Sequence, residues 1–405
     1  LIVVTKSSCR RYRNVKLATD IPPSLYRFVS LVYRTEHQKE SNINTNSPPV
    51  VADLASASDR LLSTSVPTSR AAFPAPSGYP DPPAARDRWI LARRPPRPRH
   101  DLAKPQGAFI EDECAASGAI APVLTVLLTS RECPWRCLMC DLWRFTVTQD
   151  IPPGVIPAQI QHALHNLPPG SHPRQVKLYN AGSFFDPRAV PPVDDDAIAA
   201  QLARFERVIV ECHPALVGPR CRRFRDRLAA HATAASAAPP ALEVAMGLET
   251  AHPAVLAKLN KRMTLDQFRR AADFLCERNL ALRVFILVQP PFLPAEAAVE
   301  WSVRSAELAF DCGATAATLI PTRAGNGALD ALAAAGEFTP PRLATLEAAL
   351  KAGIALRRGR VFADVWDLER FADCAVCFPA RAERLRQMNL TQRVLPRVVC
   401  AACGG

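Results

Sequence analysis

An α/β fold of consecutive βα units is what the sequence predicts, on three observations. From residue 123 onward, short apolar runs alternate with amphipathic segments of helical period, which argues for a parallel sheet. Six such units fill about 240 residues, close to the residues-per-unit of a full eight-stranded βα barrel. The alternation stops near residue 370, where two Cys-x2-Cys pairs mark a separate small module.

Taken in order, residues 1–85 show no sustained strand or helix period and are rich in Ser, Thr, Pro and Asn, so a disordered extension is expected there. No methionine precedes Met139, and the expected explanation is a non-standard start codon or a reading frame extended too far upstream. Residues 86–118 form a lead-in arm. Its Arg/Pro run reads as solvated, or alternatively as a phosphate-contacting strap, and Cys114 reads as a packing residue. The barrel follows over 119–370, with strands expected at 123–128, 175–180, 207–212, 242–248, 282–288 and 315–321. Helices are expected at 157–167, 194–205, 220–232, 264–277, 295–312 and 343–356. Thr264 and Gln267 open the fourth helix with capping-box spacing. Residues 371–405 are the four-cysteine module.

Composition narrows the function classes. At 48% hydrophobic the chain can bury a sizeable core, yet it has no apolar run of about 18 residues, so no membrane span is expected. Thirteen cysteines, an odd number in clusters and singles, argue for reduced thiols and metal ligands, hence a cytoplasmic setting. The net charge of +12 is concentrated early, since residues 1–112 carry 17 Lys/Arg against 10 Asp/Glu. Charge alone is therefore a weak case for nucleic acid on the barrel itself.

The loop after the first strand is Cys133-Pro-Trp-Arg-Cys137-Leu-Met-Cys140. Three thiolates within eight residues can converge on a soft metal centre, and such sites select zinc or iron-sulfur clusters. Structural zinc wants a fourth ligand, and the nearest downstream His or Cys is His162. A [4Fe-4S] cluster on three cysteines keeps one iron open. Buried apolar thiols, or a zinc site completed from afar, are the alternatives.

Reactive groups of βα barrels sit at the C-terminal ends of the strands. At those ends the sequence places Ala181-Gly182-Ser183, Glu211 and Glu249, with Lys261 about one helix later and Arg262 beside it. A carboxylate directly after an apolar strand points into the barrel mouth, where it can accept hydrogen bonds or pair with a cation. Adjacent strand residues point to opposite faces, so Cys212 reads as core and His213 as a pocket residue. Arg323 and Asn326, in a glycine-punctuated loop, read as substrate contacts.

The spacing Cys-x3-Cys-x2-Cys resembles that of the radical S-adenosylmethionine (radical SAM) superfamily. The resemblance implies a partial (β/α)6 barrel, a [4Fe-4S] cluster on Cys133, Cys137 and Cys140, and SAM cleaved reductively to a radical that abstracts hydrogen. By the same resemblance, Ala181, Gly182 and Ser183 stand where a Gly-Gly-Glu-like backbone meets the methionine amino group, a partial match. Glu211 and Glu249 match acidic SAM-holding positions of the branch containing the elongator catalytic subunit, the methylthiotransferases and the oxygen-independent coproporphyrinogen oxidases. Lys261 matches a basic residue that pairs with the SAM carboxylate. Met139 stands where an aromatic residue is usual, and its thioether can pack on an adenine face. The run Cys-Leu-Met-Cys-Asp-Leu-Trp, with Gly-Leu-Glu-Thr, Leu-Asn-Lys-Arg-Met-Thr and Pro-Pro-Phe-Leu, is similar to a narrower group, the radical SAM lyase that partners archaeosine synthase. That implies a modified tRNA nucleoside as substrate, a carbon-nitrogen bond cleavage, a partner enzyme, and an electron donor such as a ferredoxin or flavodoxin.

Cys374, Cys377, Cys400 and Cys403 form two knuckles that bring four thiolates onto one centre, a structural zinc (Zn2+) site with a second iron-sulfur cluster as the rival. Arg381, Arg384, Arg386, Arg393 and Arg397 lie between them, a basic surface that suits an RNA backbone or plain solubility. The alternative function is a non-catalytic iron-sulfur or zinc protein that binds RNA or relays electrons. A mere cluster carrier has no need of the strand-end carboxylates.

Overall fold

The computed structural model describes residues 77–232 and 238–404, so most of the disordered extension expected at the N-terminus lies outside the described residues. Residues 77–85 were expected to share that disorder, yet Ser77 and Tyr79 are anchored to the body of the protein. Tyr79 Oη donates to the Lys258 carbonyl (2.7 Å), and helix α1 (Pro83–Leu91) opens with proline in its first turn, where no amide is needed. The solvated-arm expectation fails for Arg86, which is buried and donates to the Pro80 and Ala257 carbonyls at 2.8 and 2.6 Å.

Next come β1 (Gly107–Cys114), β2 (Ile120–Leu127) and the short β3 (Ser130–Arg131) and β4 (Thr146–Val147), which flank the cysteine loop. The repeat then runs α2 (Val155–His165), β5 (Gln175–Tyr179), α3 (Asp195–Leu202), β6 (Arg207–Glu211), α4 (Pro219–Ala230) and β7 (Ala241–Glu249). It continues with α5 (Pro253–Lys258), α6 (Leu265–Cys276), β8 (Ala281–Val288), α7 (Ala298–Asp311) and β9 (Ala316–Pro321). The chain closes with α8 (Ala328–Ala334), α9 (Leu343–Ala355), β10 (Arg360–Ala363) and α10 (Phe378–Thr391). Thr264 caps α6 as expected, its hydroxyl accepting from the Gln267 amide while the Gln267 side chain returns the bond.

One curled sheet runs β1-β2-β5-β6-β7-β8-β9-β10, parallel throughout except for β1 against β2. The six expected βα units are all there, framed by two further strands, β1 and β10. Residues of one parity, such as Val176, Leu178, Val208, Val210, Val244 and Ile286, join the core under the helices. The other parity faces the concave side, as the two-residue strand period requires.

That concave side carries charge. Arg283 donates to Glu113 (2.5 and 3.0 Å) and to Glu243 (2.6 Å), Lys177 pairs with Glu113 (2.6 Å), and Arg207 and Arg360 reach Glu243 at 3.0 and 3.4 Å. This buried network ties β1 to β8 across the curl. Helix α10 packs on both β1 and β10. Its Asn389 and Gln392 amides exchange hydrogen bonds with Ala363 and Val361, so a helix completes the free edge of β10.

Candidate functional site

The cysteine loop leaves β3 and returns through β4, which pair in parallel and pinch its two ends together. Gly182 packs on its root: a Cβ there would lie far inside van der Waals contact with the Arg131 carbonyl oxygen. Two amides grip the loop backbone. Asn260 Nδ2 donates to the Arg136 carbonyl (2.8 Å), and Asn326 Nδ2 donates to those of Leu138 (2.8 Å) and Cys140 (3.3 Å). Asn326 is thus a clamp on the loop rather than the expected substrate contact. Arg323 is likewise committed, to Asp364 at 2.8 Å and the Trp366 carbonyl at 2.6 Å.

The three loop thiols share one largely buried setting. Burial pushes Cys137 up to about 12 and raises Cys133, with the Lys261 ammonium pulling both the other way. Cys140 is raised well above the usual thiol range, first by burial and then by the charges of Cys133 and Cys137, so the three share one neighbourhood. Among the described residues, the Cys/His/Asp/Glu group gathered tightly enough for a single ion is the C-terminal quartet. A cubane cluster offers each thiolate its own iron and needs no such gathering.

The strand-end residues come together beneath this loop. Lys261 Nζ donates to Glu249 Oε1 (2.7 Å), and both side chains are about 10% exposed. Gly247 makes room for the pair, since a Cβ would collide with the carboxylate and lie 2.7 Å from the ammonium. Glu211 is pushed up to about 7 by burial, with Lys261 opposing and Glu249 adding to the rise. Ser183 and Glu249 have left-handed backbones (φ 69° and 67°), as do Asn260 and Arg262 on either side of Lys261. Strain of this kind collects at functional sites.

Cys212 is core and His213 lines a depression, as expected. Ala181 is half-buried, and Ser183 Oγ accepts from the His213 amide (3.0 Å). Met139 packs in two apolar clusters, one with Ile90 and Leu138 and the other with Val255 and Leu287. His213 stacks on Trp135 of the loop (3.6 Å between ring centres, 10° between planes). Its Nδ1 accepts from Ala215 N, so Nε2 carries the hydrogen toward the Lys261 carbonyl (3.1 Å), and burial pushes the ring down to about 3. A depression lined by Cys133, Trp135, Asp186 and Arg188 opens beside the loop.

The loop, the ion pair and the half-buried carboxyl now allow comparison with known proteins. No protein-family model matches the chain. Among curated proteins, it is 26% identical over 291 residues to archaeosine synthase subunit beta of Methanosarcina acetivorans, covering 68% of this chain and 81% of the relative. The chain is a sequence relative of that subunit. The narrower resemblance carried by the cysteine loop, to the partner of archaeosine synthase, has a curated counterpart in that subunit. An uncharacterised protein of Methanocaldococcus jannaschii is 23% identical over 264 residues, 62% of this chain and 70% of its own. Among solved structures, archaeal Elp3 of Methanocaldococcus infernus superposes with a TM-score of 0.41 at 12% identity, over 63% of this chain and 64% of that one. Coproporphyrinogen III oxidase of Escherichia coli, described as a radical SAM enzyme, gives 0.36 at 13%, over 56% and 50%.

The C-terminal quartet is a separate site. Its four sulfurs lie within 4.8 Å of one another, Cys377 to Cys403 at 3.9 Å. The Cys377 and Val376 amides donate to Cys374 and hold its thiol down to about 7, while burial and the neighbouring thiols push Cys377 up to about 11. Three of the five arginines of the basic surface expected here have acidic partners. Arg381 and Arg384 pair with Glu347 of α9 (2.6 and 3.4 Å) and Arg386 with Glu383 (3.5 Å). No helix among the described residues is long and apolar enough to cross a membrane.

Proposed function

We propose that this chain is a radical SAM enzyme that acts on a modified tRNA nucleoside in a carbon-nitrogen lyase step, with a partner enzyme and an external electron donor. The observation that carries the reading is the convergence of three loop thiols, Cys137 buried and Cys133 and Cys140 half-buried, with Lys261, Glu249 and Glu211 at the C-terminal mouth of the sheet. A cluster on Cys133, Cys137 and Cys140 supplies, when bound, the electron that cleaves the SAM sulfonium. Lys261 offers an ammonium for a ligand carboxylate, and Glu249 holds it in place from beneath. Glu211 offers a carboxyl at the mouth that accepts hydroxyl hydrogen bonds when ionised. Asn180, at the end of β5, presents a buried Oδ1 with no partner, one more acceptor for a ligand donor. The substrate class rests on the likeness to archaeosine synthase subunit beta. Anaerobic reconstitution with iron and sulfide, then dithionite and SAM, is expected to yield 5'-deoxyadenosine, and none with Cys137→Ala. A reconstituted wild type that yields none points instead to a non-catalytic metalloprotein.

For the quartet we propose structural zinc, because four converging cysteines leave no open position. Chelation is expected to release one zinc per chain and to free α10 from the β10 edge. Metal analysis, with backbone hydrogen exchange at residues 360–363 before and after chelation, checks both. Iron in place of zinc reverses the assignment.

A further inference from the structure

Glu132, the residue before Cys133, is ringed by three guanidinium groups. Arg94 Nη1 donates to Oε1 at 2.7 Å, Arg97 Nη2 donates to Oε2, and Arg136 Nη1 stands 3.2 Å from Oε1 while also donating to the Cys133 carbonyl at 2.7 Å. Arg94 and Glu132 keep 8% and 10% of their side-chain exposure, so the cluster of charges is shielded from salt. Arg94 and Arg97 belong to the segment preceding β1, which contributes no strand to the barrel sheet.

The same segment meets the site at further points. Asp87 accepts from Asn260, whose amide also holds the Arg136 carbonyl (2.7 and 2.8 Å), and it pairs with Arg262 at 2.8 Å. The His100 ring bonds the Arg144 carbonyl just after the loop, and the Arg93 carbonyl packs against Gly327, where a Cβ would not fit.

We propose that residues 77–100 are a strap that positions the cysteine loop, and that Arg94, Arg97 and Arg136 place a net positive charge beside Cys133 that favours the reduced cluster. Three guanidiniums against one carboxylate leave a net charge of +2 around Glu132, and at Cys133 the Glu132 carboxylate is opposed by Lys261 and Arg136. Net charge and hydrogen bonding near a cluster are among the terms that set its potential. The inference rests on the reading that Cys133, Cys137 and Cys140 hold a cluster.

The test uses the full chain with Arg94→Gln/Arg97→Gln, Glu132→Gln and Arg94→Lys/Arg97→Lys. In metal-free protein, hydrogen exchange of residues 131–141 is expected to quicken about tenfold in all three, because each breaks the clamp. In reconstituted protein, a dithionite titration followed by electron paramagnetic resonance reads the midpoint. The double Gln variant is expected to disfavour reduction about tenfold, some 59 mV lower for one electron, whereas Glu132→Gln shifts the midpoint upward and the double Lys variant stays near wild type. General damage to the loop cannot produce shifts of opposite sign. Unchanged exchange in every variant overturns the strap, and midpoints that coincide or move in one direction overturn the charge role. A wild type that takes up no iron and sulfide overturns the cluster reading instead, while the exchange measurement still decides the strap.

Discussion

Gly182→Ala is expected to lose most of its iron after reconstitution, whereas Gly218→Ala keeps it. The new methyl at residue 182 would overlap the Arg131 carbonyl oxygen and sit 2.8 Å from Ala189 Cβ and 2.9 Å from Ser130 Oγ. Backbone on that side cannot swing away as a flexible side chain could. The end of β5 and the root of the cysteine loop must therefore separate, at about 1–3 kcal/mol for overpacking of this kind. Separation moves Ser130 and Arg131 from their pairing with β4, and with them the spacing between the first and last thiols. Gly218 is extended, with nothing within 4 Å of a Cβ, so its alanine variant controls for the glycine change itself. Iron per chain after desalting, read beside a urea midpoint, checks the expectation. Wild-type iron in Gly182→Ala would show that the contact does not govern the loop.

The packing of Gly182 against the Arg131 carbonyl joins residues 51 positions apart and leaves no local pattern. Local pattern placed the six βα units, the α6 cap and the cysteine loop, because each is written in consecutive residues: apolar alternation, a Thr-x-x-Gln spacing, three thiols in eight positions. The two framing strands escaped. Strand β1 has three acidic residues in a row, and β10 is four residues long, too short to show a period. The clamps escaped for another reason. Asn260, Asn326 and Arg94 act on loop residues 124, 188 and 38 positions away in the chain, and nothing local distinguishes such an asparagine from a loop residue or such an arginine from a solvated one. Lys177, Glu243 and Arg283 did leave a trace, each being a charge inside a mostly apolar strand. A lone charge in that setting demands a buried partner.

Arg283→Met is accordingly expected to be the most destabilising single change in the barrel wall away from the site. The guanidinium is 2% exposed and bridges Glu113 to Glu243, so it joins β1 and β7 through β8. Methionine fills much of the volume but leaves both carboxylates with fewer partners, Glu113 keeping Lys177 and Glu243 keeping Arg207 and Arg360. Because those partners remain, the loss should fall near the lower end for a broken buried pair, about 3 kcal/mol at neutral pH. In the wild type, burial works to raise both carboxyls but Arg283 and its neighbours outweigh it, holding them below the usual carboxylate range. Groups held low add stability above the unfolded pKa, about 4.3, and that stability is lost as pH falls through the folded value. In the variant burial weighs more, the carboxyls shift upward, and protonation relieves the strain in acid. The gap between wild type and variant should therefore be widest near pH 7.5 and narrow toward pH 4. Urea midpoints at the two pH values measure it, and a gap that does not change with pH would mean that Arg283 acts by filling space and not by its charge.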